Sequence, residues 1–294
     1  MKIGALIIFY NPDLEVANKV ICDLSIQVNK ICIVDNSKQQ CKYPFKSDKI
    51  KYIFMNGNKG IAAAQNQGIK YFIQEDYDYI ISCDQDTLIG RTTIIDLLQT
   101  MEDLTKAGVP IGAIAPIGID HYSHKKLSYS IAKIRETFIA GHELLEVTHT
   151  MNSMSLIPVR LFKEVGGMEE DLFIDAVDCE WCWRAHYLTK VRFFYDTNIL
   201  MDHRLGIATK KCSKVYEIHI TPPFRMYFQY RNYLWLIHRK YTPQKWILYN
   251  GIKYIAKIIY YTLFSSERIS YLKHIIKGMK DGIKYQSRQQ YINT

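Results

Sequence analysis

The sequence has no run of eighteen uncharged apolar residues. Its best candidate, Trp246 to Phe264, is interrupted by Asn250, Gly251, Lys253 and Lys257. A lone membrane-spanning helix is therefore not expected, whereas a helix lying on a surface fits. A cleavable leader is not expected either, because Met1-Lys2-Ile3 runs straight into a strand pattern. The seven cysteines are scattered and odd in number. Cys179 and Cys182 are spaced C-x-x-C, but no second pair and no His pair follows at zinc-finger distance. That argues against a structural zinc site and for reduced thiols in a cytoplasmic protein. Internal repeats and flexible linkers are lacking too. With 48% hydrophobic and 23% charged residues, the chain is neither disordered nor of low complexity. Its 294 residues suffice for one large core with a smaller appendage.

Net charge is absent from most of the chain. Residues 1–238 carry 27 Lys/Arg and 27 Asp/Glu, whereas residues 239–294 carry 11 Lys/Arg against Glu267 and Asp281. The whole +9 therefore lies in the last fifth. A neutral body excludes a distributed nucleic-acid surface, and a basic end suits an anionic partner.

What is present is alternation. Ile3–Tyr10 is an apolar run stopped by Asn11-Pro12, and Leu14–Ser25 reads as a helix. Strand patterns at Lys30–Val34, Tyr52–Met55 and Tyr79–Cys83 then alternate with helical ones at Gly60–Gln74 and Thr92–Thr100. Strands and helices at this spacing predict βαβ units and a mainly parallel sheet. The strands end in Asn11, Asp35, Asn56–Asn58 and Asp84 with Asp86, and the carboxyl ends of such strands are where ligands bind. Further strands are expected at Ile111–Pro116, Met154–Ile157 and Val191–Tyr195, and helices at Arg160–Val165 and Asp178–Thr189. Beyond Pro222-Pro223 the chain turns aromatic, basic and helical, with Pro243 dividing it.

Asp84-Gln85-Asp86 follows a strand, and a period of two would point both carboxylates to one side. Two carboxylates held together repel, and a divalent cation such as Mg²⁺ or Mn²⁺, shared with phosphate oxygens, removes the conflict. His203, after Asp202, could complete such a site. Asp171, Asp175, Asp178 and Glu180 crowd together beside Trp181 and Trp183. They read either as acidic residues at a helix start, favoured by its dipole, or as a general base near aromatic walls.

These residues resemble bacterial family-2 glycosyltransferases with the GT-A fold, most of all the rhamnosyltransferases of O-antigen and capsule synthesis. The resembling stretches are IIFYNP (7–12), VDNS (34–37), NGNKGIAAAQNQGI (56–69), YIISCDQDT (79–87), SLIPVRLFKEVGGMEEDLFIDAVDCEWCWR (155–184), DHRLG (202–206) and PFRMYFQYRN (223–232). The resemblance implies an α/β fold, a Rossmann-like mixed sheet flanked by helices, over residues 1–221. A helical, basic, membrane-associating extension over 222–294 is implied with it. It also implies that Phe9, Tyr10, Asp35, Gly60, Asn66, Asp84 and Gln85 line the nucleotide. Asp86 and His203 would bind the metal. Asp178 would be the general base of an inverting transfer, with Asp175 its rival and with Glu180 and Trp181 on the acceptor side. The implied donor is dTDP-L-rhamnose, with UDP-galactose, UDP-glucose and UDP-N-acetylhexosamine as rivals. The implied acceptor is a polyprenyl-diphosphate-linked saccharide at the cytoplasmic face of the plasma membrane, where the protein would be peripheral.

Two positions depart from the pattern. Met154 stands where a Gly is frequent, and Phe9 where a Thr is frequent. In the tail, Lys273, Lys277, Lys280 and Lys284 share a helical face beside Leu272, Ile275, Ile276, Met279 and Ile283, and Lys253 and Lys257 repeat the spacing. Such helices suit anionic lipid. A nucleotidyltransferase would need a basic loop within residues 9–18, which contain no Lys or Arg. An inactive membrane-bound scaffold is the rival from another class.

Overall fold

The computed structural model describes residues 1–42, 47–120, 125–203, 209–211, 217–219 and 221–284, with the side chains of 203, 209–211 and 217–219 outside the description. The chain divides into two units. The first comprises residues 1–173 and 177–205; the second comprises 174–176 and 206–294. The second unit thus takes in three residues from the middle of the sequence.

In the first unit, β1 (Ile3–Phe9), β2 (Lys30–Asp35), β3 (Ile50–Phe54) and β4 (Tyr79–Asp84) pair in parallel in the order β3-β2-β1-β4. Each is rich in β-branched and aromatic residues, and in β1, β2 and β4 the apolar content buries both faces, whereas β3 at the end of the order is only partly covered. Helix α1 (Leu14–Ser25) starts where the Asp13 carboxylate accepts from the Glu15 and Val16 amides. It buries Ala17, Val20, Ile21 and Leu24, the three-and-four spacing of one face. Helices α2 (Ile61–Gln74) and α3 (Thr93–Lys106) make the other crossovers.

The sheet continues through β5 (Leu88–Ile89), β6 (Ile111–Asp120), β7 (Lys133–Ile139), β8 (His142–Val147), β9 (Leu156–Pro158) and β10 (Arg192–His203). Strand β9 runs antiparallel to both β4 and β6, and β10 is parallel to β6, which makes the sheet mixed. Helix α4 (Val159–Val165) follows β9, and α5 (Val177–Thr189) precedes β10. The β7–β8 hairpin has no counterpart in the sequence reading. Its first strand, KIRETFI, is largely exposed and shows no apolar run.

The second unit holds a two-stranded ribbon, β11 (Thr209–Lys211) with β12 (Glu217–His219), and helices α6 (Pro223–Leu236), α7 (Gln244–Phe264) and α8 (Arg268–Ile283). Its core is Met226, Tyr230, Tyr261, Tyr271 and Ile275. Helix α8 approaches α6 closely at Gly278, where a Cβ would come within 2.4 Å of the Tyr227 carbonyl oxygen. No helix among the described residues is long and apolar enough to cross a membrane.

Candidate active site

Strands β1 and β4 end side by side, with Ile8 opposite Asp84. Gln85 fastens the two ends: its Oε1 accepts from the Tyr10 amide at 2.9 Å and its Nε2 donates to the Tyr10 carbonyl at 3.4 Å. The Tyr10 side chain is exposed. The chain turns directly after Asp84, where the Thr87 amide donates to the Asp84 carbonyl at 3.4 Å. Strand alternation therefore stops at Asp84, and the period-of-two argument does not reach Asp86. Among the described residues, no hydrogen bond or ion pair engages the Asp86 carboxylate. Strand β5 carries the turn onward and pairs with β10, Asp202 opposite Leu88. The backbone at 202–203 is thereby delivered beside the loop of the two aspartates. The His203 side chain lies outside the described residues.

One residue that no sequence motif marks joins the two acidic groups. Asn152 donates from Nδ2 to Asp84 Oδ1 at 3.2 Å and from its backbone amide to Asp178 Oδ2 at 3.2 Å. Its Oδ1 accepts from Gln65 Nε2 at 2.5 Å. The segment is seated on β4, because Ser82 Oγ donates to the Asn152 carbonyl and the Met154 amide donates to the Ser82 carbonyl at 2.7 Å. Asp178 stands in the first turn of α5, where the Cys179 amide also donates to it at 2.9 Å. Burial pushes the Asp178 carboxyl above the usual carboxylate range, and the backbone donors of Cys179 and Asn152 only partly offset this. A partly buried carboxylate with raised proton affinity, held by amides, is suited to general-base work.

Several expected site residues have other work. Phe9 is fully buried in the core, so its side chain packs inside the sheet instead of facing a ligand. Met154 is likewise core. Asn66 is spent on the turn before α5: its Nδ2 donates to the Met168 carbonyl at 2.9 Å and to Glu170 at 2.8 Å, and its Oδ1 accepts from the Met168 amide at 2.7 Å. Its neighbour Gln65, almost fully buried, reaches the Asn152 cluster instead. Glu180 is fully buried and paired with Arg184 at 2.7 Å, and Arg184 also donates to the carbonyls of Val165 and Gly167. Trp181 packs against Phe162 and Phe193 and donates from Nε1 to the Gly166 carbonyl at 2.9 Å. Neither Glu180 nor Trp181 forms an acceptor wall; both anchor α5. Asp175 belongs to the second unit, where Arg225 holds it at 2.5 Å.

Gly60 stands at the start of α2 and Asp35 ends β2, where its fully buried carboxylate is spent on the chain itself and not on a nucleotide. Gly60 has φ +89°, and a Cβ there would stand 2.8 Å from the Phe173 carbonyl oxygen, so glycine is required. Asp35 is buried, and desolvation alone would raise its carboxyl. Hydrogen bonds from Ser37, Tyr52 and the Cys41 amide outweigh this and lower it. Its carboxylate therefore orders the loop after β2.

Among the described residues, no group of three or more His, Cys, Asp and Glu is assembled around a cation. The unengaged Asp86 carboxylate, two residues from Asp84, still fits a hard divalent ion. Mg²⁺ in particular takes one or two carboxylates and leaves its other positions to phosphate oxygens and water.

Comparison with known proteins agrees with this architecture. Residues 5–166 match the glycosyl transferase family 2 domain. The chain is 31% identical to the dTDP-rhamnosyl transferase RfbF of Shigella flexneri over 96% of each chain. It is 24% identical to the low-salt glycan biosynthesis hexosyltransferase Agl10 of Haloferax volcanii, over 70% of this chain and 66% of that one. Among solved structures, it superposes on S. aureus TarS 1–349 in complex with UDP-GlcNAc with a TM-score of 0.59 at 14% identity, over 96% of this chain and 81% of that one. It superposes on GalNAc-T7 with UDP, GalNAc and Mn²⁺ at a TM-score of 0.54 and 13% identity, over 96% and 55%. The fold is thus GT-A like. The carboxylate that ends β4 and the one in the first turn of α5 meet through Asn152 within a chain that belongs, as the match over residues 5–166 shows, to glycosyl transferase family 2.

Proposed function

We propose that the protein transfers L-rhamnose from dTDP-L-rhamnose, with inversion, to a hydroxyl of a polyprenyl-diphosphate-linked saccharide during surface polysaccharide assembly. One observation carries the chemistry: Asp84 and Asp178, far apart in sequence, are bonded to the same residue, Asn152. The donor rests on the full-length similarity to a dTDP-rhamnosyl transferase. In the reaction, Asp178 takes the proton of the acceptor hydroxyl while that oxygen attacks the anomeric carbon from the face opposite the diphosphate. The carbon–oxygen bond to the diphosphate breaks, and dTDP leaves. A divalent cation bound at Asp86, beside Asp84, would offset the charge on the departing diphosphate. Tyr10, tied to Gln85, and the Gly60 turn would bound the nucleotide.

The second unit supports attachment to an anionic membrane surface. On α8, Ile269, Leu272, Ile276, Met279 and Ile283 are exposed and fall within an arc of about 80°. The exposed Lys273, Lys277, Lys280 and Lys284 flank them. Ile275 is not part of that surface; it is buried in the core of the unit. An apolar stripe bordered by lysines is the pattern of a helix lying in a lipid interface.

A thermal-shift screen of nucleotide sugars with Mg²⁺ or Mn²⁺ tests the donor. A selective rise with dTDP-L-rhamnose is expected; a rise with UDP-sugars alone overturns the rhamnose reading. Hydrolysis of the donor without acceptor separates the enzyme from an inactive scaffold.

A further inference from the structure

Helix α7 is arranged inside out. Its exposed face carries Leu248, Ile252, Ile255, Ile259 and Leu263, again within an arc of about 80°. Lys245 at its start is exposed, but Lys253 and Lys257, grouped by their spacing with the lipid-facing lysines, turn inward instead. Lys257 Nζ donates to Gln229 Oε1 of α6 at 2.9 Å, and Lys253 lies one turn earlier on the same side. Gln229 is a neutral acceptor and cancels no charge. Among the described residues, the carboxylate within electrostatic reach of both lysines is Asp175, and Arg225 of α6 already grips it at 2.5 Å and 3.3 Å. Asn232 fixes the segment by donating to the Ile174 and Asp175 carbonyls at 2.8 Å and 3.0 Å.

Three cations therefore share one carboxylate in a partly desolvated place. Lysine is rarely withdrawn from water without a matching charge, and mutual repulsion adds to the cost. The strain is visible at Lys257, whose ammonium is pushed down to about 8, first by desolvation and next by Lys253. Lys253 is lowered as well, by desolvation. A multivalent anion would supply the missing charge. Guanidinium offers it a two-pronged donor, and the two ammonium groups offer point charges.

We propose that Arg225, Lys253 and Lys257 form a binding site for a phosphoryl anion, a phosphate or diphosphate group, with Asp175 as its resident counter-charge. As the seat of an acceptor's lipid-linked diphosphate it rests on the proposed function; as an anion site it stands alone.

The test is calorimetric titration of the full chain with inorganic pyrophosphate in EDTA, which silences any cation-dependent donor site. Saturable binding is expected, weakened about tenfold or more in Lys253→Gln/Lys257→Gln and kept within about threefold in Lys257→Arg. Should the double variant fail to fold by circular dichroism, Arg225→Gln alone carries the test, with about fivefold weakening expected. Flotation with phosphatidylcholine vesicles distinguishes the sources. Stronger capture by farnesyl diphosphate vesicles than by phosphatidylglycerol vesicles of equal charge, with the excess lost in Lys253→Gln/Lys257→Gln, identifies a lipid-linked diphosphate. Pyrophosphate binding without that capture identifies a free one. No binding in either arm, or wild-type affinity in the neutralised variants, overturns the proposal. The dTDP-L-rhamnose response with Mg²⁺ is read separately, so either reading can fail while the other stands.

Discussion

Asp178 and Glu180 stand two residues apart at the start of α5 and are treated in opposite ways. Glu180 is fully buried and neutralised by Arg184 four residues on, which also ties down the carbonyls of Val165 and Gly167. Asp178 is held by the backbone amides of Asn152 and Cys179 and stays raised in proton affinity. The same contrast recurs elsewhere. Glu146 is matched by Arg135 and Arg192 and held below the usual range, chiefly by the Arg192 hydrogen bond. Lys253 and Lys257 of the second unit share, among the described residues, one carboxylate that Arg225 already holds. Balanced ions hold the fold, and unbalanced ones mark where a ligand or a proton belongs.

Four single substitutions, a graded lysine series and one pH profile sharpen or break that contrast. Asp178→Asn should lower kcat by about 10²–10⁴ with donor affinity kept. Because burial raises the carboxyl in the folded state, its ionised form is a cost to the fold above that raised value. The variant should therefore hold or raise Tm; wild-type turnover would refute the base. In the wild type, kcat should fall as pH drops through a value above the ordinary carboxylate range, since the base must be ionised. Asp86→Ala should abolish cation-dependent donor binding, read by calorimetry with and without EDTA. Glu180→Ala should do the reverse of Asp178→Asn. It strands Arg184 in the interior and lowers stability by about 3–5 kcal/mol in denaturant titrations. Asn152→Ala keeps the amide to Asp178 but releases Asp84 and Gln65. A loss of about 10–100-fold in kcat with KM little changed is expected. The smallest effect is graded: each of Lys273, Lys277, Lys280 and Lys284 changed to Gln should weaken sedimentation with anionic vesicles by about 1 kcal/mol and reduce its salt dependence.

Much of the fold was legible because a strand buried on both faces must be apolar throughout. Ile3–Phe9, Lys30–Asp35 and Tyr79–Asp84 announce themselves this way, with polar stops. The exposed β7 strand offers no such run. Direction was the weaker inference. Helix α5 is buried on most of its surface, so its sequence cannot say that Trp181 faces Phe162 and Phe193. One signal was available: Glu180 and Arg184 are spaced i, i+4, the ion-pair spacing of a helix. Asn66 and Gln65 differ by a single helical step, about 100°, which decides between a turn staple and the Asn152 cluster. Asn152 lies in an irregular segment where no periodicity applies, and only the tertiary fold reveals it. Phe9 was placed at the nucleotide by the resemblance alone, whereas its side chain packs into the core.

The insertion of residues 174–176 into the C-terminal unit has a practical consequence. A shortened protein ending near residue 221 would keep every strand of the large sheet. Yet it would lose Arg225, the counterion of Asp175, and Asn232, which caps the carbonyls of 174 and 175. Asp175 and Ala176 both sit at positive φ, 68° and 63°, a conformation that non-glycine residues keep only when their surroundings impose it. Trimming the tail would thus release a stretch that leads straight into α5 and its first-turn aspartate. Expression of residues 1–221 alone should therefore leave the Asp175 carboxylate and the 174 and 175 carbonyls without the partners that α6 supplies.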